Sequence, residues 1–259
     1  MGKDFEGFQI GGLYNRVKEQ VKGIQVSVGL NTVGHDLTGV QIAALNHVKE
    51  NGRGVQVGVV ANITRQDHSG LQMGFINYAG RQNGFQLGFI NLSRKTKGFS
   101  LGLLNIAREG YHKTELGFNP ATGITLAYKS GNPQLYNILK IGVRLYDTQK
   151  QYSGGIGWGK EFVFSPALFL NPEWAVNYIY LGNWSKLNLL QQLELPLALK
   201  INHKIALRSG PSFNLHYSNQ NMAQKDYTLL QQKYGRALHM QTGYFAWLSW
   251  NIGLVIQSL

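Results

Sequence analysis

Between residues 7 and 106 the chain repeats itself seven times at spacings of 14 to 16 residues, and so short a period leaves few folds open. The units open at Gly7 (GFQIGG), Gly23 (GIQVSVGLN), Gly39 (GVQIAALN), Gly54 (GVQVGVVAN), Gly70 (GLQMGFIN), Gly84 (GFQLGFIN) and Gly98 (GFSLGLLN). In each, the second and fourth positions are apolar, as in Val40 and Ile42 or Phe85 and Leu87. The third is Gln in six of the seven, and the fifth is Gly, Ala or Ser. Asn31, Asn46, Asn62, Asn77, Asn91 and Asn105 follow seven or eight positions after the opening glycine, and a short basic linker such as residues 93–97 (SRKTK) closes the unit. Alternation on a period of two puts successive side chains on opposite faces, so each unit contains a strand.

Two architectures fit these units. In an up-and-down barrel each unit is one strand and a turn, with Phe85, Leu87 and Phe89 facing outward and Gln86 and Gly88 facing the lumen. In a parallel β-solenoid each unit is one coil, and the Gln and Asn positions stack as ladders. The likeness of odd and even units favours coils, because a barrel reverses chain direction at each strand. The one-residue slips in Asn spacing favour the barrel, since they are expected to break a ladder.

Beyond residue 109 the period stops and longer strands are expected over 111–118, 124–129, 135–146, 152–164, 174–181, 187–201, 204–217 and 243–257. The stretch 193–217 shows their character. Leu193, Leu195, Leu197, Leu199 and Ile201 share one parity and Gln192, Glu194, Pro196, Ala198, Lys200 and Asn202 the other, while Leu207, Phe213, Leu215 and Tyr217 oppose Arg208, Gly210, Ser212, Asn214 and His216. An apolar face about ten residues tall matches a hydrocarbon layer. The fold class is therefore all-β, an antiparallel transmembrane β-barrel of about 14 strands in which the seven-unit region 1–109 and the strands of 110–259 form one wall. The alternative is an N-terminal parallel β-solenoid followed by an eight-stranded barrel.

Composition narrows the function. Charged residues make up 15% of the chain and the mean hydropathy is −0.19, too apolar for disorder and too polar for a bundle of membrane helices. Cysteine is absent, so there is no disulfide framework or thiolate metal site. The seven histidines show no two-His ligand spacing, and neither a metal nor a cofactor is expected. The net charge of +12 is spread evenly, with 12 basic and 7 acidic residues in 1–109 and 13 and 6 in 110–259. That spread speaks against nucleic acid and suits anionic lipid headgroups. The start MGKDF has no signal-peptide pattern, so an envelope location requires that a targeting segment has been removed.

The run LLQQLELPLALKINHKIALRSGPSFNLHYS (residues 189–218) and the final amphipathic strand resemble the C-terminal strands of Gram-negative outer-membrane β-barrel proteins, and the GVQVGVVAN-type units resemble a surface-repeat family found beside such barrels. Leu259 departs from the aromatic residue that ends many such barrels. The resemblance implies an envelope location and a barrel, with no activity attached. Because every strong signal concerns the wall and none a reacting centre, the expected role is that of a non-enzymatic outer-membrane pore or structural and interaction subunit, with outer-membrane lipids including lipopolysaccharide and other envelope proteins as partners. On the assigned parity Lys140, Arg144, Lys200 and Arg208 face a basic-leaning lumen beside Glu194, which would favour anions if open. The short turn at Asn202 and His203 is expected on the periplasmic side and the segment 219–241, with Lys225, outside. The sequence His216-Tyr217-Ser218-Asn219 resembles the active-site motif of outer-membrane lipid A deacylases. That resemblance would make His216 the base, Ser218 the nucleophile and Asn219 an oxyanion donor. The family also needs a carboxylate to orient the histidine; the final strand 243–257 contains none, and Asp226 in the preceding loop is the only nearby acid.

Overall fold

The computed structural model describes residues 3–145, 150–219 and 243–257 and the backbone of 238–241. Tyr146 and most of the segment 219–241, including Lys225 and Asp226, lie outside the described residues, as does Leu259. The chain divides into two compact units, Met1–Tyr111 with Ser130–Asn132, and His112–Lys129 with Pro133–Leu259. All regular structure described is strand.

The expected wall of about 14 strands is not formed, because the repeats of residues 7–106 pair in parallel. They stack as coils, the arrangement of the solenoid alternative. Gly7 pairs with Gly23, Gly23 with Gly39 and Gly39 with Gly54, so each residue lies against its own counterpart one period away. That register aligns the Gln positions. Gln25 Nε2 donates to Gln9 Oε1 at 2.7 Å, and the chain of bonds continues through Gln41, Gln56, Gln72 and Gln86 to the Ser100 hydroxyl at 2.7–3.1 Å. A second ladder runs from Asn15 through Asn31, Asn46, Asn62, Asn77 and Asn91 to Asn105 at 2.7–3.0 Å. The slips in spacing do not break it. They are absorbed within the paired strands, as at the β-bulge between Ala43 and Leu45, and each asparagine still meets the next.

The opening glycine is demanded twice over. Gly23 has φ +140, and a Cβ there would lie 2.0 Å from the carbonyl oxygen of Gly7. A valine column, Val17, Val33 and Val48, and the pair Val21 and Leu37 fill the remaining interior of the first coils. Later coils change that filling. Gly52 follows Leu37 in its column, and His68 occupies the space beside it, its Nδ1 2.6 Å from where a Gly52 Cβ would stand.

The second unit is a closed antiparallel barrel of eight strands: Tyr111–Asn119, Gly123–Asn132, Leu135–Arg144, Gln151–Gly159, Glu173–Tyr180, Asn188–Glu194 continued by Leu197–Lys200, Ile205–Ser218 and Tyr244–Gln257. The last strand closes it by pairing with Ile205–Ser218 on one side and Tyr111–Asn119 on the other. Two expected strands are interrupted. The strand over 187–201 breaks at Leu195 and Pro196, where proline has no N–H to give to the ladder. The strand expected over 152–164 ends at Gly159, and Phe162–Val163 belongs to a short hairpin with Leu168–Leu170, which pairs with Leu197–Lys200.

Candidate functional site: the barrel interior

Strand alternation sorts the barrel's side chains. In Tyr111–Asn119 the positions Tyr111, Lys113, Glu115, Gly117 and Asn119 are buried and Leu116 and Phe118 are exposed, and in Glu173–Tyr180 the buried set begins with Glu173. Outward positions carry Leu193, Leu197, Leu207, Phe213, Trp250 and Ile252, with Leu248 75% and Ile141 62% exposed. Inward positions carry the charges, which inverts the ordering of a water-soluble barrel.

Arg208 stands at the centre. Its Nη1 lies 2.6 Å from Glu115 Oε2 and 2.8 Å from Glu173 Oε2, and its Nη2 lies 2.8 Å from Glu194 Oε2. Lys129 bridges Glu115 (2.6 Å) and Glu173 (2.5 Å), Lys140 meets Glu194 at 2.8 Å, and Lys113 meets Glu161 at 2.5 Å. The Tyr136 hydroxyl donates to Glu173 at 2.7 Å. Four cations thus face four carboxylates, and the charges balance. A planar guanidinium can serve three carboxylates at once, which an ammonium cannot do with the same geometry. The void left among Glu115, Lys129, Lys140, Glu173 and Glu194 is about 10 Å³, room for about one water. A second obstruction is apolar: Ala121, Ile179, Leu181, Leu190, Phe245 and Trp247 form one buried cluster.

Among the expected lumen residues, Lys140, Glu194 and Arg208 meet in this network. Arg144 is also buried, and Lys200 is half-buried with Nζ 4.5 Å from the centre of the Phe169 ring. The expected basic lean does not extend to the network, because Glu115, Glu161 and Glu173 join Glu194 there. Sequence reading missed these three acids with Lys113, Lys129 and Tyr136. Lys113, Glu115 and Glu173 stand in YHKTELGFN and EWAVNYIY, which alternate like 193–217, so their inward parity is legible; Glu161 lies between Gly159 and Phe162, outside any strand, where alternation gives no signal.

The three residues of the acyl-transfer motif are separated in their bonding. Ser218 Oγ donates to Asn188 Oδ1 at 2.6 Å, and Asn219 Oδ1 accepts from the Leu187 N–H at 2.8 Å. The Nε2 of His216 is buried without a hydrogen-bond partner among the described residues. Among those residues no group of three or more His, Cys, Asp or Glu side chains could hold a metal ion.

Fold and interior together define a class, an eight-stranded antiparallel barrel with a charge-filled interior, preceded by a parallel β-solenoid. No protein-family model matches the chain and no curated protein matches it. Among solved structures it is similar to a barrel from the de novo design of transmembrane β-barrels, with a TM-score of 0.33 and 12% identity over 57% of this chain and 92% of that one. It is also similar to the crystal structure of Neisserial surface protein A, with a TM-score of 0.29 and 11% identity over 57% of this chain and 93% of that one. At these TM-scores neither likeness bears on what the chain does.

Proposed function

We propose that the barrel spans a lipid bilayer, the outer membrane of a Gram-negative envelope, as a sealed anchor and not as a pore or an enzyme. The observation that carries this reading is the inversion of the barrel wall. Leucine, isoleucine and aromatic side chains face outward around it, while Arg208, Lys129, Lys140 and their carboxylates are buried inside. In water such a wall would expose a continuous apolar surface, whereas in lipid closure pairs the strand edges that an open sheet would leave bare. What supports sealing is that, among the described residues, the ion network and the Phe245–Trp247 cluster occupy the interior, with a void of only about 10 Å³ left inside the network. On this reading the chain's interactions belong to its surfaces, lipids including lipopolysaccharide and envelope proteins among them.

The test is the full chain in its envelope and then in planar bilayers. The protein should fractionate with outer membranes, require detergent for release, and give no current after reconstitution. A soluble protein would overturn the membrane reading; steady conductance would overturn sealing alone.

A further inference from the structure

The solenoid carries a surface that the anchor reading does not use. The windows 7–15, 23–31, 39–46, 54–62, 70–77, 84–91 and 98–105 contain no Lys, Arg, Asp or Glu, so all 19 charged residues of 1–109 (12 basic and 7 acidic) lie outside them. In the fold these windows stack on one another. Their Gln and Asn side chains turn inward into the ladders, and their apolar side chains turn outward. Val28 is 76%, Val59 79% and Phe75 53% exposed, and Phe75 stacks on Phe89 with ring centres 5.0 Å apart. Seven coils at about 4.8 Å per step extend this edge over roughly 29 Å. The charged linkers stack along a different part of each coil, with ion pairs such as Arg81–Asp67 and Lys95–Glu109.

We infer that this charge-free edge of the solenoid beds into the acyl layer of an anionic bilayer, with the charged linkers left at the headgroups or in water. The inference rests on the membrane reading of the barrel. Four observations favour lipid over a second copy or another protein. A protein interface mixes apolar contacts with a polar rim and hydrogen bonds, while no charge interrupts this edge over seven coils. The amides that lipid could not satisfy are already bonded from coil to coil. The linkers carry the net +5 of residues 1–109, complementary to anionic headgroups. Only residues 108–110 separate the last solenoid strand, Leu104–Ala107, from Tyr111–Asn119, the first strand of the barrel, so the chain itself tethers the solenoid close to any membrane the barrel occupies.

The absence of cysteine makes the test direct. Single-cysteine variants Val28→Cys, Val59→Cys and Phe75→Cys, with Lys49→Cys and Arg65→Cys in the linkers and Leu248→Cys on the barrel exterior, are labelled with a nitroxide. The full chain is then reconstituted into vesicles of phosphatidylethanolamine and phosphatidylglycerol. Collision rates with oxygen, which partitions into lipid, and with a water-soluble nickel chelate are compared. The oxygen-to-nickel ratio at 28, 59 and 75 should be several-fold higher than at 49 and 65 and close to that at 248. Free access of nickel at 28, 59 and 75, with oxygen still dominant at 248, overturns this inference and leaves the barrel reading standing. Shielding from both reagents at those positions overturns it in favour of a protein partner or a second copy. Nickel access at 248 overturns the membrane reading, and this inference falls with it.

Discussion

The solenoid and the barrel both turn polar side chains inward, yet they satisfy them over different ranges of sequence. In the solenoid the interior is neutral, and each amide finds its partner 14 to 16 residues away. In the barrel the interior is ionic, and Arg208 reaches 93 residues back to Glu115 and 35 back to Glu173. A repeat can solve its polar interior locally, because every coil presents the same group at the same place. A barrel without repeats depends on closure to bring its charges together.

The largest effect should come from removing the centre of the long-range interior. Arg208→Ala would leave Glu115, Glu173 and Glu194 buried with fewer cations than carboxylates, and losing one partner of a buried ion network costs about 3–5 kcal/mol. Thermal unfolding in detergent should show the loss, with Arg208→Lys recovering only part of it because one ammonium cannot span the same three partners. An unchanged melting temperature in Arg208→Ala would mean that the network does not hold the barrel.

Next in size is an effect confined to the solenoid. Burial pushes the His68 imidazole down to about 4 from 6.5, against a smaller opposing contribution from a backbone hydrogen bond at Leu71. The folded value lies below the unfolded one. Stability is therefore complete above pH 6.5 and is lost as pH falls toward 4, by about 3 kcal/mol in all. Melting curves of the full chain between pH 7 and pH 4 should show it. His68→Gln, which places in this column the residue found one coil on at Gln82, should flatten that dependence.

The ladder itself gives the third comparison. Asn62→Ala removes the partner of Asn46 and of Asn77 together with a bond to the Met73 carbonyl, at a cost of about 1–3 kcal/mol per buried group left unsatisfied. Asn15→Ala, at the first coil and bonded to one ladder neighbour, should cost less. Equal losses would argue that the rungs act independently of their place in the stack.

The smallest change is expected at Ser218→Ala, which removes the bond to Asn188 for about 0.5–1.5 kcal/mol. On the anchor reading the acyl-chain content of lipid A in membranes carrying this variant or His216→Ala matches the wild type. Loss of a deacylation product in both variants, with the barrel assembled, would reinstate the acyl hydrolase.

Much of the fold was legible in the residues. The period of two in 193–217 assigned the outward leucines and the inward Glu194, Lys200 and Arg208 before any neighbour was known, because the side-chain alternation of a strand does not depend on what it pairs with. The same rule gave eight strands beyond residue 109, and the seven glycine-led units gave the ladders in one of their two forms. Direction of pairing was not legible. A GVQVG strand alternates identically in parallel and antiparallel sheets, and the slips that spoke against coils are absorbed at bulges such as that between Ala43 and Leu45, which the spacing does not reveal. Tertiary structure also decided that Pro196 breaks its strand and that Ser218 bonds Asn188. It alone supplied the partners of Arg208, since Glu115, Glu173 and Glu194 stand on three different strands and meet only when the last strand pairs with both Ile205–Ser218 and Tyr111–Asn119. Sequence fixes which face a side chain takes through local backbone geometry; ion pairs across a lumen depend on closure, which no local pattern encodes.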